Sequence, residues 1–384
     1  MGSESSWRPG DDTAYKPTIV PVHNPDPPVP SPAFTERIAR VVTDGAALLG
    51  ITIRDVAREA GVSTATVSRA LRGLPNVDPV TREHVRRVAD RLDYVISPAA
   101  SRLASGRAGS IAVITPFLGR WYFSKVLSGV ERVLQRSDLD LLLYSTGDPS
   151  EEHRVPPHRR LRRRVDGVLV IGLPADSPDL QELFELDMPV TLIGAHSVGV
   201  SSVSIDDVEG GRMASQHLIN LGHERIGLIS GRPLPTPFFP ENDRLAGYRQ
   251  ALEASGLSVE ASLQVPGYFT IEGGEHAMTA QLAQRTPPTA VFAMSDEMAF
   301  GALRALRRHG IRPGHDIAIV GFDGHEMCDM LDLTTVTQPA EELGSAAARC
   351  LLDLLDDPAR EPEVLRLPTQ LCVRGSTTLH RTVA

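Results

Sequence analysis

The sequence predicts two folds in series, a small three-helix head built on a helix-turn-helix and a much larger α/β body. Three observations carry this reading. Residues 52–72, TIRDVAREAGVSTATVSRALR, hold two short helical patterns on either side of a glycine. From Ser110 onward, β-branched apolar runs alternate with amphipathic stretches, the order that gives βαβ units, parallel sheets and right-handed crossovers. That body is roughly 275 residues long, more than one sheet comfortably covers, so two subdomains are expected.

Residues 1–49 are rich in Pro, Ser and Asp, with VPVHNPDPPVPSP at Val20–Pro32. A stretch of that composition cannot bury a core and is read as a disordered tail. The head follows over residues 50–96. Ile53, Val56, Ala57 and Ala60 fall at i, i+3, i+4 and i+7, one apolar stripe of a helix. Thr52 can cap that helix, with Asp55 at the capping-box position, and Gly61 can turn the chain at positive φ. Ser63 then caps a second helix, and Val62 can staple onto Val67. Val67, Ala70 and Leu71 make its buried side, while Thr64, Ala65, Ser68, Arg69 and Arg72 face outward. A third helix opens on Asp78 and Pro79 as N-cap and N1, with Val85, Val88, Ala89 and Leu92 as its apolar face. Its outer arginines, Arg82, Arg86, Arg87 and Arg91, read as a solvated face of which one or two touch phosphate. Spacing alone suits a generic helical hairpin as well as a DNA reader.

Residues 97–109 form a connector. Ser97 and Pro98 are another N-cap/N1 pair and Gly106 is a stop, which leaves a helix of about seven residues, too short to be stable alone in water. In the body, 110–384, strands are expected at Ile111–Thr115, Leu139–Tyr144, Val165–Ile171, Val190–Ile193, Ile226–Ile229, Ala290–Ala293 and Ile317–Val320. Helices are expected at Lys125–Arg136, Gly211–Leu221, Leu245–Ser255, Glu297–His309 and Glu341–Asp356.

Charge and composition narrow the function. The net charge is −9, but residues 50–109 carry +4 and the body about −11. A basic module on an acidic body can hold DNA, because the phosphate contribution depends on the local patch. Apolar content of 41% is ordinary for a soluble protein, and no run approaches the roughly 20 apolar residues of a membrane span. The absence of a secretory signal points to the cytoplasm. Cys328, Cys350 and Cys372 are far apart, so neither a zinc site nor a disulfide framework is indicated. There is no GxSxG, GxxxxGK[ST], HExxH or GxGxxG after a strand, and no cofactor, metal or catalytic residue is expected.

The wording DVAREAGVS-x-x-TVSRAL from Asp55 to Leu71 resembles, nearly residue for residue, the signature of the LacI/GalR family of bacterial transcription regulators. The likeness runs from about Ile51 to Leu379, through LGHERIGLISG, RLAGY, AMSDEMAFGALRAL, IAIVGFDG and LPTQLCVRGST. It implies a two-lobed body of the periplasmic-binding-protein-like (type I) fold, with three crossovers between the lobes. It also implies a homodimer on a near-palindromic operator, controlled by a small-molecule effector, sugar-like by class, and no membrane partner. The positions it marks for DNA are Thr52, Ser63, Thr64, Ala65, Thr66, Ser68 and Arg69 in the head. In the connector they are Ser97, Ala100 and Leu103, with Leu103 as a minor-groove wedge on a hinge helix. Ile96, Ser97 and Ser101 depart from the usual Pro, Asn and Arg of that hinge, which puts some backbone contacts in doubt.

For the body, ligands of α/β sheets bind beyond the carboxyl ends of strands. Reading those ends gives Trp121, Tyr122, Phe123, His196, Arg244, Phe269, Ser295, Asp296, Asp323 and Gln338. Arg and Asp can grip hydroxyls in paired hydrogen bonds, and aromatic faces can cover a sugar-like ring. Arg244 and Asp323 match the family's ligand-gripping positions. Asp206 and Asp207 read as helix caps, and Asp296 could cap its own helix. Gly194 stands where many members carry an aspartate, which leaves the ligand class open. The reading is a ligand-responsive, homodimeric repressor. A transport-type binding protein with an inert DNA head, and a sugar-processing enzyme, stand as alternatives.

Overall fold

The structure is a computed structural model that describes residues 51–94, 107–146, 158–162, 164–173, 178–186, 188–231 and 239–377. The expected tail and the hinge residues Ser97, Ala100 and Leu103 lie outside the described residues. The chain divides into two compact units, before and after the Ser97–Pro98 bond.

The head unit has three helices, α1 (Ile53–Ala60), α2 (Thr64–Leu71) and α3 (Pro79–Arg91). Local side chains set each boundary. Asp55 reaches back to the Thr52 amide at 3.0 Å and its hydroxyl at 2.7 Å. Gly61 closes α1 at φ 65°, a conformation that costs glycine nothing. The Ser63 hydroxyl accepts from the Thr66 amide at 3.1 Å, and Asp78 from the Thr81 amide at 2.9 Å. Val56, Val67 and Val85 are completely buried and, with Val88 and Ala89, make one small core.

The body contains two six-stranded sheets. Lobe 1 takes β1 (Ser110–Thr115), β2 (Asp140–Ser145), β3 (Gly167–Ile171), β4 (Val190–Ile193), β5 (Ser201–Ile205) and β11 (Val364–Leu367), in the order β11-β5-β4-β3-β1-β2, all parallel. Lobe 2 takes β6 (Ile226–Ser230), β7 (Gln264–Pro266), β8 (Ala290–Ala293), β9 (Ala318–Asp323), β10 (Thr334–Thr337) and β12 (Gln370–Cys372). Its order is β12-β10-β9-β8-β6-β7, and only the β10–β12 pair is antiparallel. The helices are α4 (Trp121–Arg136), α5 (His158–Leu161), α6 (Pro178–Phe184), α7 (Asp207–Asn220), α8 (Phe239–Ala254), α9 (Ile271–Leu282), α10 (Asp296–Arg308), α11 (Met327–Leu331) and α12 (Ala340–Asp356). The chain passes between lobes three times, from β5 into α7, from β10 into α12 and from β11 into β12. Among the described residues no helix is long and apolar enough to cross a membrane.

The parallel sheets, the two lobes and their three crossings are as expected, but several elements escaped the sequence reading. β5 is SSVSI and β10 is TTVT, whose hydroxyls conceal their burial. Ser201 accepts from the Glu363 amide at 3.0 Å, and Thr334 accepts from Arg374 N–H at 2.8 Å, so polar side chains sit inside at little cost. α9 was hidden by Gly273 and Gly274, poor helix formers in isolation. They are required by packing, since a Cβ on Gly274 would run into the backbone of Met298 at the start of α10. The same device seats α4 on α12 through Gly129 and Gly344, and α7 on α8 through Gly211 and Gly247.

Candidate functional site

The carboxyl ends of the strands of both lobes face one cleft of about 710 Å³ including its open mouth. Lobe 1 supplies Phe117, Arg120, Tyr122 and Phe123 after β1 and Gly194 after β4, and Asp207 enters at the crossing from β5 into α7. Lobe 2 supplies Arg244 from α8, Phe269 after β7, Ser295 and Glu297 after β8, Asp323 at the end of β9, and Gln338 after β10.

Arg244 is the centre of the polar wall. Its guanidinium is buried, with Nε donating to Asp207 Oδ1 at 2.8 Å and Nη1 to the Met294 carbonyl at 2.6 Å. Nη1 also stands 4.0 Å from Asp323 Oδ1, and the guanidinium carbon lies over Phe322, 3.6 Å from the ring centroid. Gln338 Nε2 donates to Asp323 Oδ1 at 2.7 Å. One cation is thus held between a carboxylate at the start of α7 and one at the end of β9. Burial raises the carboxyl pKa of Asp207, with Arg244 pulling it back, and raises that of Asp323 well above its ordinary range against the same cation. Burial also pushes the Tyr122 phenol up. Asp323 has φ 126° and Phe269 φ 55°, so two residues lining the cleft are held in backbone conformations that L side chains rarely adopt. Such strain collects at ligand sites, where surrounding packing imposes it.

Tyr122, Phe123, Arg244, Phe269, Ser295, Asp323 and Gln338 therefore meet around one space. Trp121, His196 and Asp296 do not. Successive helical residues point about 100° apart, so Trp121 leaves the wall that its neighbours line. Its ring stacks on His325 with centroids 5.2 Å apart, and its indole N–H donates to Glu326, which also pairs with Lys125. These contacts join lobe 1 to lobe 2 beside the cleft. Gly194, at φ 72°, turns the chain so that Ala195 enters the core of lobe 1 and His196 is exposed, 3.3 Å from the Ser202 hydroxyl.

Asp296 is buried but turned away. The cap of its helix is Ser295, whose hydroxyl accepts from the Met298 amide at 3.3 Å. Asp296 Oδ2 accepts from the Gly324 and His325 amides at 2.7 and 2.8 Å and from Cys328 Sγ at 3.2 Å, while Oδ1 accepts from the Thr335 hydroxyl at 2.7 Å. It fixes the loop that follows Asp323. Burial raises its carboxyl pKa against those donors. Asp296→Asn should lower stability by about 1–3 kcal/mol, because the amide either turns its NH₂ toward the Gly324 and His325 N–H groups or meets them with an uncharged oxygen in place of the carboxylate. Urea denaturation checks this, and an unchanged midpoint would reject the account.

Phe117, Arg120, Asp207 and Glu297 were missed by sequence reading. The signal for Asp207 was the Asp206–Asp207 pair, since only one residue can cap α7. Asp206 does so, accepting from the Glu209 amide at 2.9 Å, and Asp207 is left to Arg244. Phe117 and Arg120 lie at a strand end where the aromatic triplet drew attention instead; the Arg120 guanidinium sits 3.9 Å from the Phe117 ring centroid and donates to the Tyr268 carbonyl at 3.1 Å.

In the head, Thr64, Ala65 and Arg69 are exposed on one side of α2. Ser63 and Thr66 pair with each other at 2.9 Å, and Ser68 Oγ accepts from Arg72 at 2.7 Å, so those hydroxyls shape the helix surface. Thr52 is exposed at the start of α1. Arg91 pairs with Glu59 at 2.9 Å and Arg82 donates to the Leu74 carbonyl at 2.8 Å, which places two of the outer arginines of α3 in structural roles.

Comparison with known proteins gives a consistent picture. Residues 52–97 match the family described as bacterial regulatory proteins, lacI family, and residues 215–377 match a periplasmic binding protein-like domain. The HTH-type transcriptional regulator CelR of Thermobifida fusca is 36% identical, over 85% of this chain and 98% of its own. A solved structure of a transcriptional regulator CelR–cellobiose complex aligns with a TM-score of 0.61 at 34% identity, over 85% of this chain and 99% of that one. The lac repressor dimer bound to operator and the anti-inducer ONPF aligns with a TM-score of 0.77 at 27% identity, over the same shares.

Proposed function

Because the chain belongs to the lacI family of bacterial regulatory proteins, and is a DNA-binding regulator of transcription and not an enzyme, we propose that it is a homodimeric repressor. In this reading it sits on a near-palindromic operator and answers to a neutral, polyhydroxylated effector of sugar class. The observation that carries the effector is Arg244 held between Asp207 and Asp323 in an aromatic-walled cleft. The cation is already paired with two carboxylates, so the wall offers directed donors and acceptors with no free positive charge for an anion. That suits hydroxyls and disfavours anions. Tyr122, Phe123 and Phe269 offer ring faces for the apolar side of a pyranose or furanose. The relative whose structure is a complex with cellobiose supports the same class. Gly194 has no side chain to grip hydroxyls, and the Tyr122 hydroxyl lies beside it, 3.5 Å from where a Cβ would stand. Tyr122 takes over that part of the wall.

On the DNA side, Arg69 reads a guanine in each half-site, and Ala65 with the Thr64 methyl meets thymine. A single recognition helix covers too few base pairs to specify a site, which is the reason for a dimer and a two-fold operator. Effector in the cleft sets the angle between the lobes, and that angle sets whether paired connectors can fold on DNA. The protein works in the cytoplasm, beside the chromosome. The test is selection of duplexes from a random pool, with and without a mixture of neutral mono- and disaccharides. An enriched palindrome whose recovery changes with one sugar is the expected result. Enrichment that no sugar alters would overturn the effector class, and no enrichment would overturn the regulator.

A further inference from the structure

The body carries about −11 in total, yet HRRLRRR at residues 158–164 sets five arginines within six positions. The run is anchored to lobe 1. Leu161 and Val165 are buried in its core, and the Arg164 and Val165 amides both donate to the Leu161 carbonyl, at 3.0 and 3.2 Å. Arg160, Arg162 and Arg164 are exposed on this short turn.

Its place in the fold matters more than its charge. The turn leads into β3 at the amino end of the sheet, the end away from the cleft. The Asp166 carboxylate there binds the Ala108 and Gly109 amides at 2.6 and 2.7 Å, where the chain arrives from the head and becomes β1. Two acids at this end are engaged, Asp166 by those amides and Asp356 by Arg107 at 3.8 Å. The thirteen steps from Tyr94 to Arg107 span at most about 45 Å. Any duplex gripped by the head is therefore tethered to this end of lobe 1.

We propose that Arg160, Arg162 and Arg164 form a second, sequence-independent DNA contact that holds phosphates flanking the site read by the head. The proposal rests on the DNA-binding reading above. Guanidinium groups match phosphate oxygens in bidentate geometry and carry no base information, so the contact adds affinity on any sequence. DNA is favoured over an acidic protein partner because the partner already bound by this chain arrives by the tether at this point.

The test uses the full chain and the Arg160→Gln/Arg162→Gln/Arg164→Gln variant on two generic duplexes. One covers two half-sites, about 20 base pairs, and the other adds about 20 on each side. For the wild type, affinity per site should rise on the longer duplex and its salt dependence should steepen. The variant should lose that gain, roughly tenfold or more, with a slope shallower by about 0.9 for each phosphate contact removed. An unchanged thermal midpoint shows that the variant is folded; if it is not, Arg162→Glu alone serves. Equal binding of both duplexes by wild type, with the variant indistinguishable, would overturn the proposal and leave the regulator intact, with an acidic protein as the patch's partner. Binding of neither duplex would overturn the DNA reading, and this proposal with it.

Discussion

Arg244→Met should abolish the effector response and cost about 3–5 kcal/mol of folding stability, the largest single-residue effect expected in the body. The side chain is buried, and its removal leaves the buried Asp207 and Asp323 carboxyls without their cation. Both carboxyls are already raised by burial with Arg244 present, so without it they rise further. The pH dependence follows. A carboxyl whose pKa is higher in the folded than the unfolded state imposes no penalty below its unfolded pKa. The penalty grows as pH climbs through the interval between the two values and is complete above the folded one. The variant's deficit should therefore be smallest in acid and largest near neutrality. Urea unfolding of wild type and variant across that range measures it, and sugar-induced thermal shifts measure the lost response. A deficit that does not vary with pH would place the damage in packing over Phe322 instead.

The head could be read closely from the sequence because each of its boundaries is decided by side chains within three or four residues. Thr52 with Asp55, Ser63 with Thr66 and Asp78 with Thr81 are all contacts at that range. The body was legible as a sequence of strands and helices wherever apolar content marked burial. It failed where long-range partners did the work. Ser201 in β5 and Thr334 and Thr335 in β10 are buried because distant groups satisfy their hydroxyls. Gly274 is needed where α10 presses on α9, and Gly273 where the Gly267 carbonyl does. The cleft shows the same division. Strand-end position pointed to Tyr122, Phe123, Phe269 and Ser295, and resemblance pointed to Arg244 and Asp323. Which of two adjacent aspartates would meet Arg244, and which way Asp296 would turn, depended on partners 28 to 39 residues away that no local pattern describes.

Arg69→Ala should weaken operator binding by about 1–3 kcal/mol in each half-site, and so by roughly 2–6 kcal/mol for a dimer that reads two. Four arginines of the head are committed to partners within it. Arg72 is tied back to Ser68, Arg58 to Asp55, Arg91 to Glu59 and Arg82 to the Leu74 carbonyl. Arg69 is exposed on α2 beside Thr64 and Ala65, and among the described residues it meets no acceptor. A long donor fork in that position is suited to guanine O6 and N7, the contact that gives Arg its place in major-groove recognition. The decisive measurement is the pattern of the loss, not its size. Duplexes selected by the variant should keep the palindrome but relax at one position in each half. Its salt slope should stay close to wild type, because a base contact releases no counterions. A uniform loss on all sequences with a shallower slope would make Arg69 a phosphate contact and move the specificity onto Thr64 and Ala65. The same titration run on the lobe 1 arginine variant should give the opposite pattern, a shallower slope with the selected sequence unchanged. The two variants therefore separate reading the operator from holding it.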